Sequence, residues 1–369
     1  MKKIVKKKIK EFLLARKYKL NSIMFENYFK RIINSNPKLE TNPDKKTMDL
    51  WMEKWSVFGQ KPTEYGFKAF NSYMNGNIDF VPNDIGRNFI EPILTPEEYQ
   101  PFYNDKNSFG LFINKEWMPK TFFRSMKGML YNGDYEPVKS GDFLKLFEGV
   151  DKLVVKPAKD MGGKGVTLFT RNNKGIFIDN KGKELSLEYL EKTYNTEYLI
   201  QECIKQSEYM AQFNPTSVNT LRIAVYRDVK TGALEVIGAV IRIGGKGSFV
   251  DNICSGGSFI YVDNNGKLSN FACNEHGNTY KIHNGIDFEK NEFVIPDFEK
   301  IKQFVFEVAK RMPHMNLFAN DVAIDENGFS YWLYQFFGKP VFGKHTDELI
   351  EYCLKENEKI TPKVVLKYD

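Results

Sequence analysis

The second half of the chain consists of short strand-like runs separated by glycine turns, and this pattern constrains the fold most strongly. Thr220 to Asp228 and Leu234 to Ile243 alternate in polarity and flank a Lys-Thr-Gly turn, which is typical of a β-hairpin. Asp321 to Asp325 and Tyr331 to Phe336 flank a second tight turn. These strands do not alternate regularly with long helices, so the sequence predicts an α+β fold and not a doubly wound one.

Helical patterns dominate the first 100 residues and recur near the end of the chain. The segment from Lys46 to Gly59 carries Met and aromatic residues at helical spacing, which is more typical of a core than of a cofactor site. Pro296 to Arg311 is predicted to be an amphipathic helix. With 369 residues, of which 42% are hydrophobic, the chain can form more than one core, so two or three domains are expected.

The first 19 residues are strongly basic and are predicted to form an amphipathic helix. Such a helix can lie on anionic lipid or serve as a solvated cap on the N-terminal region. No apolar run is long enough for a secretory signal or a membrane span. We therefore predict a cytoplasmic protein, either free or peripheral at the inner face of the membrane. Nine basic residues stand against one acid, Glu11: Lys2, Lys3, Lys6, Lys7, Lys8, Lys10, Arg16, Lys17 and Lys19.

Cysteine and histidine spacing argues against a zinc site or a disulfide framework. No two cysteines have CxxC spacing, and the histidines lack the spacing of metal ligands. The residues are Cys203, Cys254, Cys273, Cys353, His276, His283, His314 and His345. No RNA- or DNA-binding motif is present, so no nucleic-acid partner is expected.

The strongest local motif is a strand that ends in Lys156-Pro157, followed by the glycine-rich run from Met161 to Val166. The lysine places a positive charge at a fixed point. The glycine turn offers backbone N–H groups and little bulk to a polyphosphate. The alternative is a plain hairpin turn whose lysines are merely exposed.

Two later segments could hold a nucleotide and a phosphate. Tyr198 to Ile204 is an apolar strand that runs into an acidic group and a short linker, and its backbone could hydrogen-bond an adenine edge. In Ser217 to Ile223, alternation places Arg222 on one face of a central strand. A buried arginine needs an anionic partner, either a phosphate or an Asp or Glu in a structural salt bridge.

The last polar segments suggest a substrate loop and a metal site. Val250 to Gly257 contains Asn252 and paired glycines, which would let a substrate approach the backbone closely. Asp321 and Gln335 lie on two strands and could face one cleft. A carboxylate there is a natural Mg²⁺ ligand that shares the ion with phosphate oxygens.

In this order and spacing, the motifs from Asp105 to Phe337 resemble the ATP-grasp superfamily, specifically its sugar-transfer-associated branch. The resemblance implies two α+β lobes that grip ATP, preceded by a helix-rich region. It divides the chain into a helix-rich region (1–100), a segment before the lobes (101–150), a first lobe with the glycine lid (151–205) and a second lobe (206–369).

The same resemblance implies a role for each motif residue. Lys106 and Lys156 would hold the ATP phosphates, and Arg222 would bind the transferring phosphate with Asn252 nearby. Asp321 would bind Mg²⁺, with Gln335 beside it. The implied lid and the adenine and ribose pocket consist of Gly162, Gly163, Lys164, Gly165, Gln201, Glu202, Cys203 and Ile204.

The sequence departs from the family pattern on the last strand. A Glu and an Asn usually bind magnesium there, but the corresponding positions are Gln335 and Phe337. Three interpretations follow. Either one Mg²⁺ held by Asp321 and the phosphates suffices, or another acid, Asp251 or Asp263, substitutes, or the protein binds nucleotide poorly.

The implied activity is an ATP-dependent carboxylate–amine ligase that acts through an acyl-phosphate. Its carboxylate would be a uronic-acid-type sugar of capsule or surface polysaccharide biosynthesis, and its other partner an amine. Two alternatives are an ATP-grasp kinase of a hydroxyl acceptor and a non-catalytic scaffold with a degraded metal site.

Overall fold

The computed structural model describes residues 2–39, 41–160, 163–245, 247, 256–328, 330–336 and 342–360. The N-terminal region is helical. Its main helices are α1 (Lys2–Ser35), α2 (Lys45–Ser56) and α3 (Glu64–Met74). Shorter helical turns follow: α4 (Asn83–Ile85), a π-helical turn (Gly86–Ile90), α5 (Glu91–Leu94), α6 (Gln100–Tyr103) and α7 (Phe109–Phe112).

The predicted aromatic stripe is confirmed as core. Trp51 and Trp55 of α2 are fully buried. Their indole N–H groups donate to the backbone carbonyls of Phe80 (2.7 Å) and Ile78 (2.9 Å), so burial leaves neither donor unsatisfied. This core also contains Tyr226, which lies in the second sheet, so the N-terminal helices are packed against the rest of the chain.

The first sheet has six antiparallel strands in the order β2-β1-β6-β3-β4-β5. The strands are β1 (Thr121–Met126), β2 (Met129–Asn132), β3 (Lys152–Pro157), β4 (Thr167–Arg171), β5 (Phe177–Asp179) and β6 (Glu197–Glu202). Helix α8 (Leu187–Tyr194) and a 3₁₀ segment (Ser140–Phe147) cover one face through an aromatic core.

The second sheet has seven strands in the order β11-β10-β9-β8-β7-β14-β15. These are β7 (Thr220–Arg227), β8 (Leu234–Ile243), β9 (Ser258–Val262), β10 (Ala272–Cys273), β11 (Thr279–Tyr280), β14 (Leu317–Ile324) and β15 (Ser330–Phe336). A small pair, β12 (Ile282–His283) and β13 (Ile286–Asp287), stands apart. The remaining helices are α9 (Glu208–Ala211), α10 (Phe298–Lys310) and α11 (Thr346–Ile360).

These elements confirm the predicted α+β class and both predicted hairpins. β7 pairs with β8 and β14 pairs with β15, each antiparallel, and the predicted helix near residue 300 is α10. The face of β7 that carries Leu221 and Ile223 is buried against α10, so Arg222 lies on the opposite face as alternation predicts. Within the described residues, no helix is both long and apolar enough to cross a membrane.

Candidate functional site

The first cluster of predicted site residues lies on the face of the first sheet that points away from its aromatic core. Leu153 and Val155 of β3 enter that core, so the alternating Lys156 takes the other face. Gln201 of β6 lies on the same face, diagonally across the β3–β6 pairing. Lys156 Nζ donates to Gln201 Oε1 at 3.1 Å. Antiparallel pairing therefore joins two predicted residues that are 45 positions apart.

Lys106 reaches this cluster from the segment that precedes the first sheet. Its Nζ donates to the backbone carbonyls of Asp160 (2.6 Å), Pro157 (3.2 Å) and Ala158 (3.3 Å). Burial, reinforced by the charge of Lys156, lowers the pKa of the Lys106 ammonium from 10.5 to about 8. Lys156 is thus close enough for its charge to disfavour the charged form of Lys106.

Arg124 supports the same cluster and was not identified from the sequence. It pairs with Leu199 of β6, which in turn pairs with Lys156, so the three residues form one row across the sheet. Arg124 is 2% exposed, donates to the Lys106 carbonyl at 3.3 Å and lies over the Tyr135 ring at 4.5 Å. It therefore fixes the backbone of Lys106. The sequence signal that could have identified Arg124 is an arginine in the middle of a strand.

The predicted glycine lid is the connection between β3 and β4. Gly163, Lys164 and Gly165 are exposed and form a turn in which Val166 N donates to Gly163 O at 3.3 Å. Gly165 has φ +70°, and a Cβ atom there would lie 2.8 Å from Pro157 Cγ, so only glycine fits without strain. Gly162, which belongs to the same predicted lid, lies outside the described residues.

The predicted adenine-binding segment links the two sheets. Glu202 ends β6, and its Oε1 accepts from the backbone N–H of Lys120 at 2.6 Å. Cys203 and Ile204 follow, both half-buried. Burial raises the pKa of the Cys203 thiol, which identifies it as a neutral, packed side chain. The linker then joins the second sheet, where Ser207 N donates to Ile324 O at 2.9 Å.

The second cluster lies on the second sheet and centres on Asp321. Arg222 binds its carboxylate in bidentate fashion, with Nε to Oδ1 and Nη2 to Oδ2 both at 2.7 Å. Arg242 Nη1 donates to Oδ2 at 2.9 Å. The side chains of Asp321 and Arg242 are 8% and 7% exposed, whereas that of Arg222 is 23% exposed. Arg222 is therefore the arginine that solvent, and a ligand, can reach more easily.

Arg242 was also missed by sequence reasoning, because nothing in an apolar strand indicates which distant residue it will face. The structural salt bridge considered for Arg222 is present, with Asp321 as its partner. The predicted roles of Arg222 in phosphate binding and of Asp321 in metal binding stay predictions.

The described side chains around Asp321 do not form a preorganised magnesium site. Both Asp321 oxygens are engaged by guanidinium groups, and two positive charges beside the carboxylate oppose a cation there. The described part of the chain holds no group of three or more His, Cys, Asp or Glu residues that could bind a metal ion. The Gln335 side chain, Asn252, Asp251 and Phe337 lie outside the described residues.

Comparison with solved structures finds similar chains at low identity. N5-carboxyaminoimidazole ribonucleotide synthetase from Thermotoga maritima has 11% identity and a TM-score of 0.36, covering 69% of this chain and 50% of that chain. D-alanyl-alanine synthetase A from Vibrio cholerae has 13% identity and a TM-score of 0.37, covering 71% of this chain and 66% of that chain. The L-amino acid ligase from Bacillus licheniformis has 13% identity and a TM-score of 0.33, covering 67% of this chain and 43% of that chain. This chain spans about half the length of the first of these.

A comparison with curated proteins finds no match. Among protein families, the one described as sugar-transfer associated ATP-grasp matches residues 94–333, which is more than half of the chain. That range begins within α5 and ends within β15, so it includes both sheets and both clusters. The predicted ATP-grasp fold is thereby confirmed, and the chain belongs to the sugar-transfer associated ATP-grasp family.

Proposed function

We propose that the protein binds ATP at the Lys106–Lys156 cluster and uses it to join a carboxylate to an amine. The observation that carries this proposal is the placement of Lys106 and Lys156 together beside the glycine turn, where burial and the charge of Lys156 lower the pKa of Lys106. Asp160 and Asp105 act in the opposite direction but offset the lowering only in part. A polyphosphate would stabilise both ammonium groups, and the neighbouring glycine turn would add backbone N–H donors.

ATP is a substrate in this proposal. A carboxylate oxygen of the acceptor attacks the γ-phosphorus, the bond to ADP breaks, and an acyl-phosphate forms. The amine nitrogen then attacks the carbonyl carbon, inorganic phosphate leaves, and the amine proton is released. Positioning and charge neutralisation supply most of the catalysis in phosphoryl transfer.

Each cluster has a separate task in this reaction. Lys106 and Lys156 neutralise the phosphates on the first sheet, while Gln201 orients Lys156. Arg222, held by Asp321 and backed by Arg242, binds the charge that develops on the transferred phosphate. Gln201, Glu202, Cys203 and Ile204 line the nucleoside side. No step is assigned to Mg²⁺, since the described residues do not fit it.

For the acceptor we propose a uronic-acid-type sugar carboxylate of a surface polysaccharide, such as capsule, in the cytoplasm. The sugar-transfer association of the family supports this choice. A membrane contact through residues 1–19 would bring the protein to lipid-linked glycans, and we propose that contact separately below.

The test is isothermal titration with a slowly hydrolysed ATP analogue, with and without Mg²⁺. Lys156→Ala should abolish binding. Lys174→Ala is the matched control, because Lys174 lies in the exposed glycine turn of the neighbouring β4–β5 hairpin, and it should bind normally. Unchanged binding by Lys156→Ala would refute the site.

Two further outcomes separate the alternatives. If well-folded protein binds no nucleotide, the hypothesis of a non-catalytic scaffold replaces the hypothesis of an enzyme. One observation favours the scaffold hypothesis, namely that the predicted magnesium ligand Asp321 accepts hydrogen bonds from two arginines. If nucleotide binds, ADP release is measured with uronic acids in the presence and absence of amines. Release that needs a hydroxyl acceptor and no amine would identify a kinase.

A further inference from the structure

Helix α1 exposes an apolar stripe on its solvent side, interrupted between Leu13 and Leu20 by Arg16. At about 100° per residue, its members fall within an arc of about 120°. Each is between 44% and 67% exposed, and they are Val5, Ile9, Phe12, Leu13, Leu20, Ile23 and Met24. Single exposed apolar residues are common on protein surfaces, but seven of them aligned along one helix face mark a contact surface.

The stripe is not the face by which α1 is attached to the protein. The opposite side carries Tyr18, Phe29, Ile32 and Ile33, all 7% exposed or less. Helix α1 packs through this side against α3 and α4. Among the described side chains of α1, none before Tyr18 is fully buried. The exposed stripe therefore does not serve the packing of the described fold.

Three exposed basic residues lie at or within the stripe, whereas the acidic residues of α1 lie away from it. Exposed Lys6 and Lys19 border its two edges and exposed Arg16 lies within it. Glu11 and Glu26 point about 100° or more away from its centre. An apolar stripe with basic edges suits the interface of an anionic bilayer, where long basic side chains extend from the apolar layer to the headgroups.

We propose that α1 lies in the headgroup region of an anionic phospholipid bilayer, with this stripe inserted among the acyl chains. The contact extends beyond the basic segment of residues 1–19 to Met24. A second copy of the chain is a poorer occupant, because residues 1–19 hold nine basic residues and one acidic residue, and two such faces would repel each other. The contact needs no nucleotide and stands apart from the proposed ligase activity.

The experiment is co-sedimentation of the full chain with vesicles, either phosphatidylcholine alone or phosphatidylcholine mixed with phosphatidylglycerol. Binding is expected only to the anionic vesicles and should weaken with salt. Phe12→Ser combined with Leu13→Ser should lower vesicle affinity about tenfold or more. The control is Leu111→Ser with Leu144→Ser, which removes two leucines of matching exposure, 64% and 56% against 67% and 56%, and it should bind as the parent does.

Three results would overturn the proposal. They are absence of binding to anionic vesicles, equal binding to both vesicle types, and binding that survives the Phe12 and Leu13 changes. A fourth is a dimer, seen by light scattering, that those changes dissociate, since a second copy would then be the occupant. Because the changed side chains are exposed, the thermal midpoint of each variant should match the parent and exclude misfolding as the cause.

Discussion

Lys106→Met should reveal the cost of holding a buried, charged lysine, a cost that the neighbouring charge of Lys156 increases. The pKa of Lys106 lies near 8 in the folded chain and near 10.5 in water, so folding disfavours its charged form. The cost is fully present below about pH 8. It is relieved as the pH rises toward 10.5, because the folded protein then carries a neutral Lys106 while the unfolded chain is still protonated.

The size of this effect follows from the pKa difference. Each pH unit above 8 is worth about 1.4 kcal/mol, so the unfolding free energy of the parent should gain about 2 kcal/mol over the variant by about pH 9.5. Groups that do not interact with Lys106 titrate alike in both proteins and cancel in the difference. Denaturant unfolding of both proteins at several pH values from about 7 to 9.5 measures it. A difference that stays constant with pH would refute the reasoning about Lys106.

Nucleotide binding provides a second measure of the same group. Phosphates beside Lys106 favour its charged form, so the ATP analogue should raise its pKa. At about pH 9 the free protein should then take up close to one proton per nucleotide, and almost none at about pH 7. Titration calorimetry in buffers of different ionisation enthalpy counts these protons. Binding without proton uptake at about pH 9 would place the nucleotide away from Lys106.

Two further substitutions probe the second cluster and the glycine turn. Asp321→Asn leaves the buried guanidinium of Arg242 and the partly exposed one of Arg222 facing a neutral amide and should cost about 3–5 kcal/mol in denaturant unfolding. Glu307→Gln, in an exposed pair, should cost about 1 kcal/mol or less; equal costs would contradict the buried-cluster account. Gly165→Ala should cost about 1–2 kcal/mol more than Gly175→Ala. Both glycines have positive φ, but only a Cβ atom at position 165 would clash with Pro157. Equal losses of unfolding free energy would therefore mean that the turn relaxes to remove the clash.

Strand positions could be predicted well where the pattern is local. The predicted strand Leu234 to Ile243 matches β8 at both ends, because alternation continues until a glycine pair stops it. The helix at the N-terminus runs to Ser35, well past the basic segment of residues 1–19. Its continuation through polar Asn21 and Ser22 depends on distant partners, Asn88 at 2.7 Å and Asp84 at 3.1 Å, which no local pattern reveals.

Long-range register explains why the candidate site was only partly predictable. Lys156 and Gln201 were identified because strand ends and glycine turns are visible in the sequence. The contact of Arg222 with Asp321 depends on the β7–β14 register, which pairs residues 99 positions apart. Arg242 reaches the same carboxylate from β8, across 79 positions. The sequence showed that Arg222 needs an anion but could not choose between a phosphate and a carboxylate.

The structure changes which residues carry the argument for nucleotide binding. A buried arginine requires an anionic partner, and Asp321 already meets that requirement for Arg222. The presence of Arg222 is therefore no longer a reason to expect a phosphate, although its prepositioned guanidinium could still bind a phosphate. The lysine pair is different, because the neutral carbonyls that accept from Lys106 do not cancel its charge, and Asp160 and Asp105 offset the lowering of its pKa only in part. For this reason the proton uptake of Lys106, and not the loss of Arg222, is the more decisive test of the ATP site.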